Sequence, residues 1–261
     1  MKYRILLILL LLALAIAFPA AAQDDDTLIV STGGIMLTID KDFATGVAIN
    51  PLPADPPEYG PGFAEPASTQ ISFINPPPGF AAESILTIRI YRTDDFADYP
   101  MHIERLSQLQ ILLDNDSPLT EFMQPAPTMP GVSPLPFIPL YLHGTVLQAR
   151  AEYVQTPLLQ GIRYITAIAA AIEPLNSRSF IYTWQGVTND GEYYVSAQAF
   201  LTTSLFEDNV PVEDPAAFAD AFPDYLTGAV ATLNAAAPTD FTPSLADIDA
   251  IMESLTVTPI V

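Results

Sequence analysis

The stretch at residues 161–204 constrains the fold more than any other part of this chain. Aromatic and β-branched residues at 180–185 alternate with a period of two, which is typical of a β-strand. A Thr-Asn-Asp-Gly turn at 188–191 follows, and its glycine can adopt a positive φ without steric cost. A second strand then occupies 192–202, and 161–168 is equally strand-like. The stretch predicts three neighbouring antiparallel strands in the middle of one sheet.

The N-terminus has the pattern of an export signal. Lys2 and Arg4 precede an uninterrupted apolar run at 5–18, and small residues follow at 20–22. The run is too short to favour a permanent membrane span. We therefore predict a signal peptide at 1–22, cut after Ala22, and a disordered leader at 23–26. The mature protein is expected to be secreted or extracytoplasmic, and an uncleaved anchor remains the alternative.

Composition excludes several classes of partner and chemistry. The chain has no cysteine, which removes disulfides, thiol nucleophiles and thiolate metal sites. Its 9 Lys plus Arg stand against 30 Asp plus Glu, a formal net charge of −21, so nucleic acid and anionic lipid are rejected as partners. No second apolar stretch of membrane-spanning length follows the signal, so no integral span is expected after cleavage.

The rest of the chain, residues 27–261, is predicted to form one α+β domain. Period-two segments predict further strands, and 3.6-residue periodicity predicts two helices, while an alanine-rich segment predicts a third. Two proline-rich segments predict surface loops, and apolar residues indicate that the end of the second is tucked against the domain. The strands are at 27–31, 35–39, 47–50, 69–74, 84–91 and 140–153; the helices at 101–113, 218–234 and 244–255; the loops at 51–66 and 118–139. For the last helix, Thr242 is expected as the N-cap and Pro243 in the first position. The predicted fold is a single antiparallel sheet flanked by helices.

The order of these elements resembles a family of exported, secreted or lipid-anchored bacterial proteins of uncharacterised function. The resemblance is carried by SILTIRIY before a leucine-rich helix, by YTWQGVTNDGEYYVS at 182–196, and by FTPSLADIDAIMESL near the C-terminus. It is distantly similar to the PsbP-like α/β/α sandwich, which implies a fold and no activity. The chain departs from the lipid-anchored members because it lacks an attachment cysteine.

Motifs for catalysis and cofactor binding are absent from the sequence. The chain has only His102 and His143, and no G-x-S-x-G segment provides a serine nucleophile for either of them. Neither a glycine-rich phosphate loop nor a spaced set of metal ligands occurs. We therefore expect no cofactor, no metal and no catalytic residue that the sequence alone identifies, although paired carboxylates could serve a hydrolase.

One group of residues on the predicted central strands combines scarce positive charge with aromatic side chains. Its members are Arg163, Tyr164, Trp184, Tyr193 and Tyr194. Arginine and aromatic residues contribute much of the energy of binding interfaces, so these residues are candidates for an anion- or partner-binding face. The alternative is that the aromatic residues form the core and that Arg163 pairs with an acid.

Two functions follow as hypotheses. The first is a non-enzymatic extracytoplasmic module that binds a protein or a small molecule. The alternative is an extracytoplasmic hydrolase that uses carboxylate acid–base catalysis. The hydrolase predicts a concave pocket with two carboxylates of perturbed pKa, whereas the binding module predicts a surface patch without them.

Overall fold

The computed structural model of the protein describes residues 26–60, 64–74, 85–123, 125, 134–141 and 143–258. The predicted signal peptide and all but the last residue of the predicted leader lie outside these ranges. The strands are β1 (Thr27–Thr32), β2 (Ile35–Asp40), β3 (Gly46–Leu52), β4 (Ser68–Ile74), β5 (Thr87–Arg92), β6 (Gly144–Gln155), β7 (Leu159–Ala169), β8 (Phe180–Thr188), β9 (Tyr193–Thr203), β10 (Phe241–Thr242) and β11 (Thr256–Val257). The helices are α1 (Pro100–Asn115), α2 (Pro215–Ala235) and α3 (Leu245–Ser254). Within the described ranges, none of the helices has both the length and the apolar character that crossing a membrane demands.

The strands form two antiparallel sheets, so the prediction of a single sheet was wrong. The main sheet has eight strands in the order β3-β4-β5-β9-β8-β7-β6, with β10 added to β9, and the small sheet has the order β1-β2-β11. Both edges of β2 are occupied, by β1 and β11, so β2 itself has no edge left with which to pair with the main sheet. Instead, the alternate residues Ile35, Leu37 and Ile39 join the large apolar core.

The three strands predicted from residues 161–204 are confirmed as neighbours. Strand β8 pairs with β7 on one side and with β9 on the other, both antiparallel. Every residue of β8 is buried, because helices cover both faces of the sheet at this point. A strand buried on both faces loses the apolar–polar alternation of a half-exposed strand, which explains its dense aromatic sequence.

The three helices are divided between the two faces of the main sheet. Leu109 and Leu112 of α1 pack on one face, in a cluster with the sheet tyrosines Tyr91, Tyr164 and Tyr194. Residues of α2 and α3 pack on the opposite face, together with the small sheet. We call these the α1 face and the α3 face. Since neighbouring residues of a strand point to opposite faces, this division assigns each strand side chain to one layer.

Two local predictions have different outcomes. The end of the second proline-rich segment was expected to be tucked against the domain, and this is confirmed because Leu135, Phe137 and Ile138 are buried. The N-cap of the last helix was predicted wrongly. Thr242 belongs to β10, and the cap is Ser244, whose hydroxyl accepts a hydrogen bond from the backbone amide of Ala246.

Candidate functional site

The five binding residues predicted from sequence do not form one surface. Trp184 and Tyr193 belong to the core on the α3 face, whereas Tyr164 and Tyr194 belong to the cluster on the α1 face. Arg163 pairs directly with Trp184 across β7 and β8 and therefore shares its face. The structure thus brings Arg163 and Trp184 together and separates them from Tyr164 and Tyr194.

The tyrosines of this set are core residues. The hydroxyl of Tyr164 donates to the Pro136 carbonyl at 2.9 Å, and that of Tyr194 donates to the side-chain carbonyl of Gln185 at 2.6 Å. Burial raises the pKa of Tyr194 well above its ordinary value, so its hydroxyl stays protonated and acts as a donor. Tyr193 is also buried. None of the three presents a side chain on which a partner could dock.

Arg163 lies in a cleft of about 290 Å³ on the α3 face, which we call the Arg163 cleft. Its guanidinium contacts Glu152 at 2.7 Å and Asp249 at 3.3 Å. Glu253 and Trp184 also line the cleft. Because two carboxylates already neutralise Arg163 and a third lies nearby, the cleft has a net negative charge and disfavours an anionic ligand.

Asp249 is a carboxyl group of this cleft with a perturbed pKa. Burial raises the pKa of its carboxyl, and this effect outweighs the hydrogen bond from Tyr182 and the charge of Arg163, which both lower it. The Tyr182 hydroxyl donates to Oδ1 at 2.7 Å, while Arg163 contacts Oδ2. Both carboxylate oxygens are therefore engaged by side chains of the sheet.

We expect Asp249→Asn to remove a pH-dependent part of the stability. The pKa of Asp249 in the folded chain is raised, so the folded chain retains this proton to higher pH than the unfolded chain does. The resulting stabilisation is complete below the unfolded pKa of about 3.9 and is lost as the pH rises through the folded pKa. In urea unfolding between about pH 3 and pH 7, the difference between the wild type and Asp249→Asn should therefore fall as the pH rises. The exposed Asp224→Asn serves as the control, and a pH-independent difference for Asp249→Asn would contradict the prediction.

The two histidines lie in different surroundings. His102 is 1% exposed, packs against Phe96 and Tyr99, and places Nε2 3.3 Å from the Glu65 carboxylate. His143 is exposed. Within the described ranges, no three histidine, aspartate or glutamate side chains converge as metal ligands would.

A second group of polar residues was not identified from the sequence as a site. Directly paired residues of β3, β4, β5 and β9 share a face, and their register places a continuous row of polar side chains on the α1 face. We call it the polar strip; its members are Asn50, Gln70, Ser72, Thr87, Arg89, Ser196 and Gln198. Burying polar side chains without hydrogen-bonding partners is unfavourable. Polar side chains at positions where a sheet usually packs apolar residues therefore indicate a possible binding site.

The polar strip opens into a cavity of about 180 Å³, which we call the Arg89 cavity. It is lined by Gln70, Thr87, Arg89, Pro139, Tyr141, Ser196, Gln198 and Phe200. Arg89 is the one charged side chain in this set. By contrast, three aspartates line another cavity, of about 400 Å³, and three carboxylates line the Arg163 cleft. The Arg89 cavity is therefore distinguished from these two by its positive charge.

Neighbouring side chains hold the Arg89 guanidinium in place. Its Nε donates to the Gln70 side-chain carbonyl at 3.3 Å, and its Nη1 lies 4.0 Å from the Glu65 carboxylate. Burial alone would lower the pKa of Arg89, but the nearby Tyr91 and Glu65 outweigh this effect and raise it. Arg89 is thus a permanent cation at the wall of a cavity.

Glu65 fixes several elements around Arg89. One of its carboxylate oxygens accepts a hydrogen bond from the Tyr91 hydroxyl at 3.1 Å and lies next to His102, and the other accepts from the backbone amide of Leu140 at 3.2 Å. This carboxylate therefore joins β5, α1 and the segment at 134–141, and it fixes their relative positions beside the cavity.

The segment at 134–141 covers one end of the polar strip and is held there by Gln185. The Ile138 amide donates to the side-chain carbonyl of Gln185 at 3.1 Å, and the Gln185 amide donates to the Ile138 carbonyl at 2.9 Å. Ser196 and Gln198 also donate to this carbonyl. The end of the strip at Ser196 and Gln198 is therefore bonded to the chain itself, and it forms one wall of the Arg89 cavity.

The sequence contains a weak indication of the polar strip, in the spacing of its polar residues. Gln70 and Ser72, Thr87 and Arg89, and Ser196 and Gln198 are each two residues apart, the spacing of one strand face. Taken singly, each pair resembles an ordinary solvent-facing pair. Only the strand order, which places β5 beside β9, joins them into one surface.

Comparison with protein-family models finds none that matches the chain, and comparison with curated proteins finds no significant match.

Proposed function

We propose that this protein is a non-enzymatic extracytoplasmic binding protein whose Arg89 cavity takes a small polar molecule through a carboxylate group. The observation that carries the proposal is the lone cation lining the cavity in a chain with a formal net charge of −21. Export is supported by the basic and apolar N-terminal sequence at residues 2–18.

The geometry of the cavity supports a carboxylate as the group that binds. Arginine offers a planar fork of donors that matches the two oxygens of a carboxylate, and the hydroxyls and amides that line the cavity can bind the rest of the molecule. A cavity of about 180 Å³ is smaller than the roughly 300–1,000 Å³ of sites for drug-sized ligands, which favours a compact ligand.

The overall negative charge does not prevent this binding. At physiological ionic strength the screening length is about 8 Å, so acids elsewhere on the surface are largely screened from the cavity. Glu65 is close enough to interact electrostatically with Arg89. Its carboxylate lies 4.0 Å from Nη1, however, which is longer than a normal hydrogen bond. Arg89 also lines the cavity, so its guanidinium is the cation that a carboxylate in the cavity would meet.

The test uses the full chain and a panel of lactate, glutamate, citrate and glucuronate. We expect at least one of them to raise the melting temperature in a concentration-dependent way. Arg89→Gln should weaken that binding by at least about tenfold, because a charge-assisted hydrogen bond is lost. The matched control is Arg92→Gln, which removes the same charge from the exposed end of β5 and should leave binding unchanged. The proposal fails if no carboxylate binds, or if Arg89→Gln binds as well as the wild type.

The second candidate function is the hydrolase, located in the Arg163 cleft. The raised pKa of Asp249 beside Glu152 favours it, since a carboxyl that stays protonated can act as a general acid. We rank it second because Tyr182 and Arg163 already engage both oxygens of Asp249. Turnover of p-nitrophenyl glycosides or esters that Asp249→Asn abolishes and Arg89→Gln preserves would reverse this ranking.

A further inference from the structure

The polar strip continues beyond the Arg89 cavity towards the edge of the sheet. In the register, Arg89 is paired with Gln70 and Gln70 with Asn50, while Thr87 is paired with Ser72. From β9 to β3 the strip crosses four strands, which at the usual strand spacing is about 14 Å. A ligand that fills only the cavity leaves the β3 and β4 part of this surface unused.

The side chains of this outer part are poised to bind hydroxyl groups. Gln70 donates to Ser72 at 3.0 Å and accepts from Arg89, so these side chains form an ordered chain. Asn50 is exposed and Thr87 is half-buried, and within the described residues neither side chain has a hydrogen-bonding partner. Amides and hydroxyls both donate and accept, as a hydroxyl-rich ligand also does.

The charge of the outer part of the strip also restricts which ligands it can bind. Beyond Arg89 the strip contains only neutral side chains, so it offers a single position for an anion. A polymer with a carboxylate on every unit would meet a protein of net charge −21 with no further cation to balance it. Beside the cavity, Phe200 is 43% exposed and presents an aromatic surface. An extended peptide would instead bind a sheet edge through its backbone, whereas the strip lies on a sheet face.

We propose that the ligand is a short oligosaccharide that is neutral except for one acidic sugar, lying across β3, β4, β5 and β9 with its carboxylate on Arg89. The neutral sugars bind Gln70, Ser72 and Asn50 through their hydroxyls. This inference rests on the proposed function, because it uses the Arg89 cavity as the anchor for the carboxylate.

The test compares three probes on the full chain by isothermal titration: glucuronate, xylotriose, and xylotriose carrying one glucuronate branch. We expect the branched probe to bind at least about tenfold more tightly than glucuronate, because two or more neutral hydrogen bonds are added. Asn50→Ala combined with Ser72→Ala should reduce the affinity for the branched probe to that for glucuronate and leave glucuronate binding unchanged. Ser31→Ala combined with Thr32→Ala, at exposed positions of β1, is the matched control.

The outcomes separate this inference from the proposed function. If glucuronate binds in an Arg89-dependent way and the branched probe binds no more tightly, the oligosaccharide inference fails and the proposed function stands. If the branched probe binds equally well to Arg89→Gln, the carboxylate anchor fails, and both proposals fail with it. Loss of glucuronate binding in the Asn50 and Ser72 double variant would also overturn the inference, because it would show that the outer residues shape the cavity itself.

Discussion

Replacing Gln185 with leucine is expected to lower the free energy of unfolding by about 3 to 5 kcal/mol, because several buried polar groups would lose partners together. Gln185 is fully buried and bonds both the amide and the carbonyl of Ile138. It also accepts from Tyr194 and donates to Thr183. Leucine has a similar volume, so the effect isolates the lost hydrogen bonds rather than a cavity.

Urea unfolding followed by tryptophan fluorescence measures this loss, since the chain has one tryptophan, Trp184, and it is buried. Gln155→Leu at the exposed end of β6 is the matched control and should change stability by less than about 0.5 kcal/mol. A loss below about 1 kcal/mol in Gln185→Leu would contradict the prediction, because a single unsatisfied buried group already costs that much.

The second large effect is expected for Gly186→Ala, which should destabilise the protein by about 3 kcal/mol through overpacking. A Cβ atom at Gly186 would collide with the ring of Trp184 and lie 2.6 Å from the Gln160 carbonyl oxygen. Gly186 is also paired directly with Gly161, where an added Cβ would meet the backbone of Gln185 and Gly186. Gly186 thus leaves the space in which the indole of Trp184 lies, while Gly161 permits the close approach of the β8 backbone.

Gly228→Ala provides an internal contrast. Gly228 lies in α2 with open space around its would-be Cβ, so alanine there should stabilise the protein by about 1 kcal/mol through helix propensity. The two alanine variants should thus shift the urea midpoint in opposite directions. Gly186→Ala should also change the emission of Trp184, because the ring must move. Equal midpoints for Gly186→Ala and the wild type would contradict the steric argument.

Local sequence patterns predicted the elements of this fold well. The strand character of 161–168, 180–185 and 192–202 follows from period-two alternation and a turn glycine, and the structure places β7, β8 and β9 there. The final helix was predicted to within one residue at each end, because apolar residues at helical spacing follow a capping sequence. These signals are local, so they are readable without knowledge of the tertiary structure.

The separation into two sheets was not predictable in the same way. The sequence of β2 is typical of any amphipathic strand. It gives no indication that β11, which lies near the opposite end of the chain, pairs with the second edge of β2.

The candidate sites likewise depend on contacts between residues that are distant in the sequence. Sequence reasoning grouped Arg163 and Trp184 with three tyrosines on neighbouring strands, and the structure brings only Arg163 and Trp184 of this group together in the Arg163 cleft. Their role in binding remains a prediction.

The Arg89 cavity required the pairing of β5 with β9. Arg89 lies on the face of its strand opposite Ile88 and Ile90, but Tyr91, which shares that face, is fully buried. Residues on one face of a strand can thus differ widely in environment, and only their neighbours on the next strand determine which of them form a site.

The position of the β5–β9 pairing has a consequence for the order of assembly. Strands β6 to β9 form a meander of sequential hairpins that can form early, whereas β5 reaches β9 only by closing a long loop that contains α1 and residues 118–139. The Arg89 cavity straddles this seam, with Gln70 and Arg89 on one side and Gln198 on the other. The proposed ligand site would therefore be complete only in the fully assembled chain, and a bound ligand would stabilise the pairing of β5 with β9.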